Sequence, residues 1–158
     1  MHYNEQQGKI IVIGIVLGTR PEIIKMAPVI WELRRRKQGE QSKSSKQSDF
    51  DFCVIHTGQH YDYEMSQAFF DELELGKPDF FLGAVSARSE CYSDAKQTAA
   101  MMTRLEALLA RKKISVVAVE GDTNSVLAAS IVAKKQKRTL AHVEAGARSF
   151  DKTMPEEV

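Results

Sequence analysis

Apolar, β-branched runs alternate along this chain with segments of helical periodicity, and four of the runs stop abruptly at small polar clusters. Ile10 to Leu17 stops at Gly18-Thr19-Arg20, and Phe52 to Ile55 stops at His56-Thr57-Gly58-Gln59-His60. Ile114 to Val119 stops at Glu120-Gly121-Asp122-Thr123, and Thr139 to Val143 stops at Glu144-Ala145-Gly146-Ala147-Arg148. Runs that are apolar on both faces fit central parallel strands. Strands alternating with helices imply right-handed crossovers, so the pattern predicts an α/β fold with a parallel sheet and helices on both faces. All four clusters then fall at the carboxyl edge of one sheet, where open α/β folds bind ligands.

The first strand is predicted over Lys9 to Leu17. A helix opens at Pro21, where the missing N–H costs nothing, and Ile23, Ile24, Ala27, Ile30 and Trp31 recur at helical spacing. Pro28 should bend it, and Arg34-Arg35-Arg36 closes it with cations suited to a helix carboxyl end. Residues 37–49 hold no apolar side chain, which predicts a solvated loop inside one domain spanning 1–158. Further helices are predicted over Tyr63 to Leu73, Gln97 to Lys112 and Asn124 to Lys135. A short edge strand is expected within Leu75 to Gly83, and irregular chain from Ala84 to Lys96. Phe80, Phe81, Met101 and Met102 are expected in the core.

Composition narrows the class. The chain has 158 residues, 43% hydrophobic and 27% charged, which reads as globular with a real core. A net charge of +1 supplies no global field for nucleic acid or an acidic membrane. The longest apolar run is too short to span a bilayer. The polar first residues show no signal peptide, so a cytoplasmic location is expected. Cys53 and Cys91 stand far apart and suggest neither a disulfide framework nor a zinc site.

The clusters offer candidate chemistry. At Gly18-Thr19-Arg20-Pro21, free backbone N–H groups and a helix dipole suit an anion, with Arg20 and Lys25 as added cations; a plain strand–helix turn is the alternative. The glycine spacing fits neither the dinucleotide fingerprint nor a Walker A loop. Asp122 reads either as the cap of the next helix or, with Glu144 and Arg148 on the same edge, as part of a carboxylate row for proton transfer at a charged substrate. His142 and Glu144, two apart, should project from one strand face. His56 and His60 straddle a strand end, and no His-Glu-x-x-His pair exists, so metal catalysis is a weak option. Pro155-Glu156-Glu157 reads as a proline-started helix with acids in its first turn. The basic run Lys134 to Arg138 reads as a solvated helix end.

Together the stretches GTRPEIIKMAPVI (18–30), HTGQHYDYEMSQAFF (56–70), EGDTNSVLAASIVAKK (120–135) and AHVEAGARSFDKTMPEEV (141–158) resemble the non-hydrolysing UDP-N-acetylglucosamine 2-epimerases. The wording is most similar to the archaeal-type branch and to related epimerases of diacetamido-sugar uronates. The resemblance implies a Rossmann-like sheet, the amino-terminal domain of a two-domain glycosyltransferase-B arrangement. It also implies inversion at C2 of a UDP-amino sugar by elimination and re-addition of UDP, without metal or redox cofactor. Position by position, Arg20 and Lys25 match substrate-side cations, and Asp122, Glu144 and Glu156 match catalytic acids. Arg148 matches the arginine of the glutamate–alanine–glycine motif, and Gln59 and His60 match a loop near substrate, or near a regulatory UDP-sugar in some bacterial members. The family forms homodimers at full length, and a complementing second-domain polypeptide is the other expected partner.

Two departures bear on activity. The chain stops at Val158, where the family continues into a second domain that holds much of the nucleotide, so the isolated chain is expected to be inactive. The stretch Glu90 to Thr98 lacks the glycines of the family's corresponding loop. Ala147 replaces a usual leucine, a smaller packing change. The alternatives are a UDP-2,3-diacetamido uronate epimerase and a non-catalytic nucleotide-sugar-binding or interaction module.

Overall fold

The computed structural model describes residues 10–43, 49–59, 63–83 and 93–157. The elements run β1 (Ile11–Leu17), α1 (Arg20–Lys43), β2 (Phe50–His56), α2 (Tyr63–Glu72), β3 (Phe80–Phe81), α3 (Asp94–Arg111), β4 (Val116–Glu120), α4 (Asn124–Lys135) and β5 (Thr139–Val143). A single 3-10 turn, Pro155–Glu157, follows. The sheet has the order β3-β2-β1-β4-β5, and every neighbouring pair is parallel. The chain steps outward from β1 to β3 and then returns to the other side of β1. The order therefore reverses between β1 and β4, which opens a crevice at their carboxyl ends.

Alternation along the strands feeds two cores. Val16, Val117 and Val119 pack with Met101, Leu105 and Leu109 of α3 and Ala129 and Val132 of α4. Ile15, Leu17 and Ala118 face the other way, onto Ile23, Met26 and Ile30 of α1 and Phe70 of α2. Helices on both faces thus explain why the strands read as continuous apolar runs. Among the described residues no helix is long and apolar enough to cross a membrane.

Several elements depart from expectation. α1 runs through Pro28 and past Arg36 to Lys43, so half of the expected loop is helix. Apolar spacing reports burial, and residues 37–43 carry no apolar side chain to give that signal. Lys37, Gln38, Glu40, Gln41 and Lys43 favour helix and outweigh Gly39, and the Glu32–Arg35 and Glu32–Arg36 pairs precede them. Ile24 and Trp31 lie on the exposed side of α1, and the Trp31 indole N–H donates to the Leu73 carbonyl at 3.0 Å. α3 starts at Asp94, earlier than expected, because Ser93 caps it. Phe80 packs on the core, whereas Phe81 is exposed and stacks on the His56 ring at 5.4 Å. The Cys53 thiol is half-buried and pushed up to about 11, chiefly by burial. Cys91 lies outside the described residues.

Candidate functional site

The carboxyl edge divides into two halves. At the β1–β2 half, Gly18 leaves the strand in close contact with α4. A Cβ there would lie 2.0 Å from Ser125 Oγ and 2.3 Å from Thr57 Oγ1, so only glycine fits. The Thr57 and Ser125 hydroxyls share a hydrogen bond of 2.8 Å. Gln59 Oε1 accepts from Ser125 N at 2.8 Å and from Ser125 Oγ at 2.6 Å, which satisfies an orphan donor in the first turn of α4. Gln97, buried in α3, donates from Nε2 to the Gln59 carbonyl at 2.9 Å. The loop after β2 is thereby pinned between two helices.

The anion seat expected at Gly18-Thr19 is filled from within. Glu22 Oε2 accepts from Gly18 N at 2.5 Å and Thr19 N at 2.7 Å, and Glu22 Oε1 accepts from the Thr123 hydroxyl. Thr19-x-x-Glu22 places the third helical residue back on the cap N–H, as in a capping box. Burial raises the Glu22 pKa, against the lowering hydrogen bonds from Thr123, Gly18 and Thr19.

Arg20 and Lys25 do not converge on that seat. The Arg20 guanidinium lies 5.3 Å over the Phe69 ring on the α2 side. The Lys25 ammonium reaches the other way, 3.0 Å from Glu120 Oε1 and 2.5 Å from Glu144 Oε2.

The β4–β5 half is open. Thr123, not Asp122, caps α4, accepting from Ser125 N at 3.2 Å and Val126 N at 3.4 Å. The Asp122 carboxylate is left exposed at the surface. His142 Nε2 lies 2.7 Å from the Gly121 carbonyl. The strand alternation expected to carry from His142 to Glu144 ends at Val143, because Glu144 has a left-handed φ of 63°. That conformation is costly for a non-glycine residue and marks a constrained turn. Asp122, His142, Glu144, Arg148 and Glu157 nonetheless border one cavity of about 370 Å³. A smaller one of about 160 Å³ shares Gly121, Asp122 and His142 and extends to Pro155.

Arg148 is held by Glu157 through a two-pronged pair, with Nε to Oε1 at 2.8 Å and Nη2 to Oε2. The guanidinium pulls the Glu157 carboxyl down to about 2. Glu157 Oε1 also accepts from Ser149 N and Phe150 N, each at 3.1 Å, which fixes the segment after β5. The side chain of Glu156 and the whole of His60 lie outside the described residues. Lys25 is the first cause that lowers the Glu144 pKa, and the Lys25 pKa is raised in return. Two carboxylates beside an ammonium and a guanidinium suit proton transfer at carbon and stabilisation of a departing anion.

Sequence reasoning gave no role to Glu22 or Ser125, placed Glu120 in a polar cluster without a role of its own, and read Glu157 only as an acid in a helix's first turn. The capping-box spacing Thr19-x-x-Glu22 was a readable signal. A charged residue closing an otherwise apolar strand was the signal for Glu120. No group of three or more His, Cys, Asp or Glu among the described residues is placed to hold a metal ion.

Residues 42–158 match the model of the UDP-N-acetylglucosamine 2-epimerase family. The chain is 46% identical over 145 residues to a UDP-N-acetylglucosamine 2-epimerase of Methanococcus maripaludis, covering 92% of this chain and 34% of that protein. It is 35% identical over 144 residues to the UDP-2,3-diacetamido-2,3-dideoxy-D-glucuronate 2-epimerase of Pseudomonas aeruginosa, covering 90% of this chain and 36% of that protein. The fold superposes with a TM-score of 0.77 on the Methanocaldococcus jannaschii UDP-GlcNAc 2-epimerase solved with UDP-GlcNAc and UDP, at 43% identity, over 93% of this chain and 36% of that one. The chain thus spans about a third of the length of the relatives it matches.

Proposed function

The chain belongs to the UDP-N-acetylglucosamine 2-epimerase family, and from that premise we propose that it carries one wall of a site for C2 epimerisation of a UDP-amino sugar. The observation that carries the reading is the shared cavity of Asp122, His142, Glu144 and Arg148, with Lys25 set against Glu144. In this reading the C1–O bond to the diphosphate breaks and its electron pair leaves with UDP. The C2–H pair becomes the C1–C2 double bond, and a carboxylate takes the proton. A carboxylate held ionised, as Glu144 is by Lys25, is a weak base, and it suffices when C–O cleavage leads and acidifies C2–H. Arg20, Lys25 and Arg148 supply positive charge for the departing diphosphate. Asp122 and Glu156 complete the acidic set that returns a proton to the opposite face of C2, where the double-bond pair forms the new C2–H bond as a diphosphate oxygen of UDP bonds to C1 again. Gln59 and His60 are the further substrate-side residues of the proposal, with Gln59 acting through the position of α4.

The matched relatives extend well beyond the region this chain spans, and in this reading that further part carries the second wall. Homodimerisation and a cytoplasmic location belong to the same proposal. The test joins this chain to the carboxyl-terminal two thirds of the Methanococcus maripaludis relative and incubates it with UDP-GlcNAc in deuterated water. Deuterium at C2 and the appearance of UDP-ManNAc are expected from the joined protein and not from the isolated chain. A folded, UDP-binding joined protein that never exchanges C2–H refutes the reading. The similarity to the Pseudomonas aeruginosa enzyme supports a second substrate, a UDP-2,3-diacetamido uronate. Assaying both substrates side by side with a full-length protein carrying this chain decides between them.

A further inference from the structure

Glu120 is the last residue of β4, paired in register with Val143, and its side chain is 1% exposed. A carboxyl buried at the end of a strand is costly unless it is partnered. Its partner is the Lys25 ammonium, which arrives from the second turn of α1 across the end of β4. The same ammonium also contacts Glu144, 2.5 Å from Oε2. Three groups from three separate connections thus meet at one point beside the cavity.

We propose that Glu120 is a positioning residue for Glu144, anchoring the Lys25 ammonium from the sheet side and so fixing it against the Glu144 carboxylate. The proposal rests on the reading of Glu144 as an acid–base group. Lys25 and Glu144 are each about half exposed, and an exposed pair of that kind is loosely held. An ammonium has three donors, so a buried acceptor behind it supplies a fixed point that the exposed pair lacks. Burial favours the neutral form of Glu120, and Lys25 favours the ionised form of Glu144. Glu120 thus contributes the placement of the ammonium, which it meets at 3.0 Å. The charged and titratable groups that face it are Lys25 from α1 and Glu144 from the segment after β5. His142 and Asp122 border the adjoining cavity.

The test follows the Glu144 carboxyl carbon by NMR against pH in glutamate-labelled chain. In the wild type its midpoint is expected below the ordinary glutamate range, because Lys25 favours the carboxylate. Glu120→Ala is expected to raise that midpoint by ~1 pH unit, as the ammonium loses its anchor. Glu120→Gln keeps an oxygen for Lys25 and is expected to stay close to wild type. An unchanged or lowered midpoint in Glu120→Ala, or an equal rise in both variants, overturns the proposal. If the amide spectrum shows that Glu120→Ala is unfolded, Glu120→Asp takes its place. Its carboxyl is one methylene short, so a smaller rise is expected, and no rise overturns the proposal. This readout needs no turnover. Failure of the epimerase reading would instead show as absent C2 exchange in the joined protein, with the titration unaffected.

Discussion

Two halves of one sheet edge behave differently. At the β1–β2 half, Gly18, Thr57, Gln59, Ser125, Thr123 and Glu22 satisfy one another, and the Gly18 and Thr19 N–H groups before α1 already hold the Glu22 carboxyl. At the β4–β5 half, Asp122, His142, Glu144 and Arg148 border open space. Polar residues at strand ends therefore serve two ends. Some close the fold and others face a ligand, and what separates them is the partner each one finds.

The comparison breaks most sharply at Gly18. Gly18→Ala is expected to cost about 3 kcal/mol in urea unfolding, because the contacts it meets are the hydroxyls that lock the half together. Gly146, at φ 93° with open space around it, should lose only about 1–2 kcal/mol on the same change. If the two variants melt alike, the closed half is not closed. Thr123→Ala removes the cap of α4 and a donor to Glu22, with an expected cost of about 1–2 kcal/mol by the same measurement.

Glu22→Gln sharpens the comparison through pH. The folded state raises the Glu22 pKa above its ordinary 4.5. Its contribution is therefore full below the ordinary value and falls as pH rises through the raised one. Replacing it with glutamine should remove that fall, so the variant gains on wild type as pH climbs above 4.5 in parallel urea titrations. A gap that widens in the opposite sense would place the carboxylate in a better environment than its burial implies. Smallest in stability is Asp122→Asn, expected within ~0.5 kcal/mol of wild type. In the joined protein the same change should cut C2 exchange by about 100-fold or more. A large loss of stability there would move Asp122 into the closed half.

The strands were legible because β-branched runs buried on both faces have one common reading, and their abrupt polar ends located the edge. The carboxyl end of α1 was not legible, since residues 37–43 carry helix propensity without an apolar stripe. The start of α3 was written in Ser93-Asp94, a cap followed by an acid in the first turn, yet the small residues around it read as irregular. At the site, Asp122 and Glu144 stood out as polar residues beyond strand ends. Whether Asp122 capped the helix depended on its competition with Thr123, which only three-dimensional placement decides. Lys25 read as a neighbour of Arg20 because both lie at the start of one helix. Their opposite directions depend on which strands flank β1, and that order emerges only from the assembled sheet.

The Lys25–Glu144 contact joins residues 119 positions apart. It cannot form until β1, β4 and β5 lie side by side, since the ammonium must cross the end of β4 to reach its partner. Closing so long a loop is a cost met before any contact rewards it. The cluster is thus a record of completed folding. Partly folded chains, whatever helices they have gained, lack the charge arrangement of the native cavity.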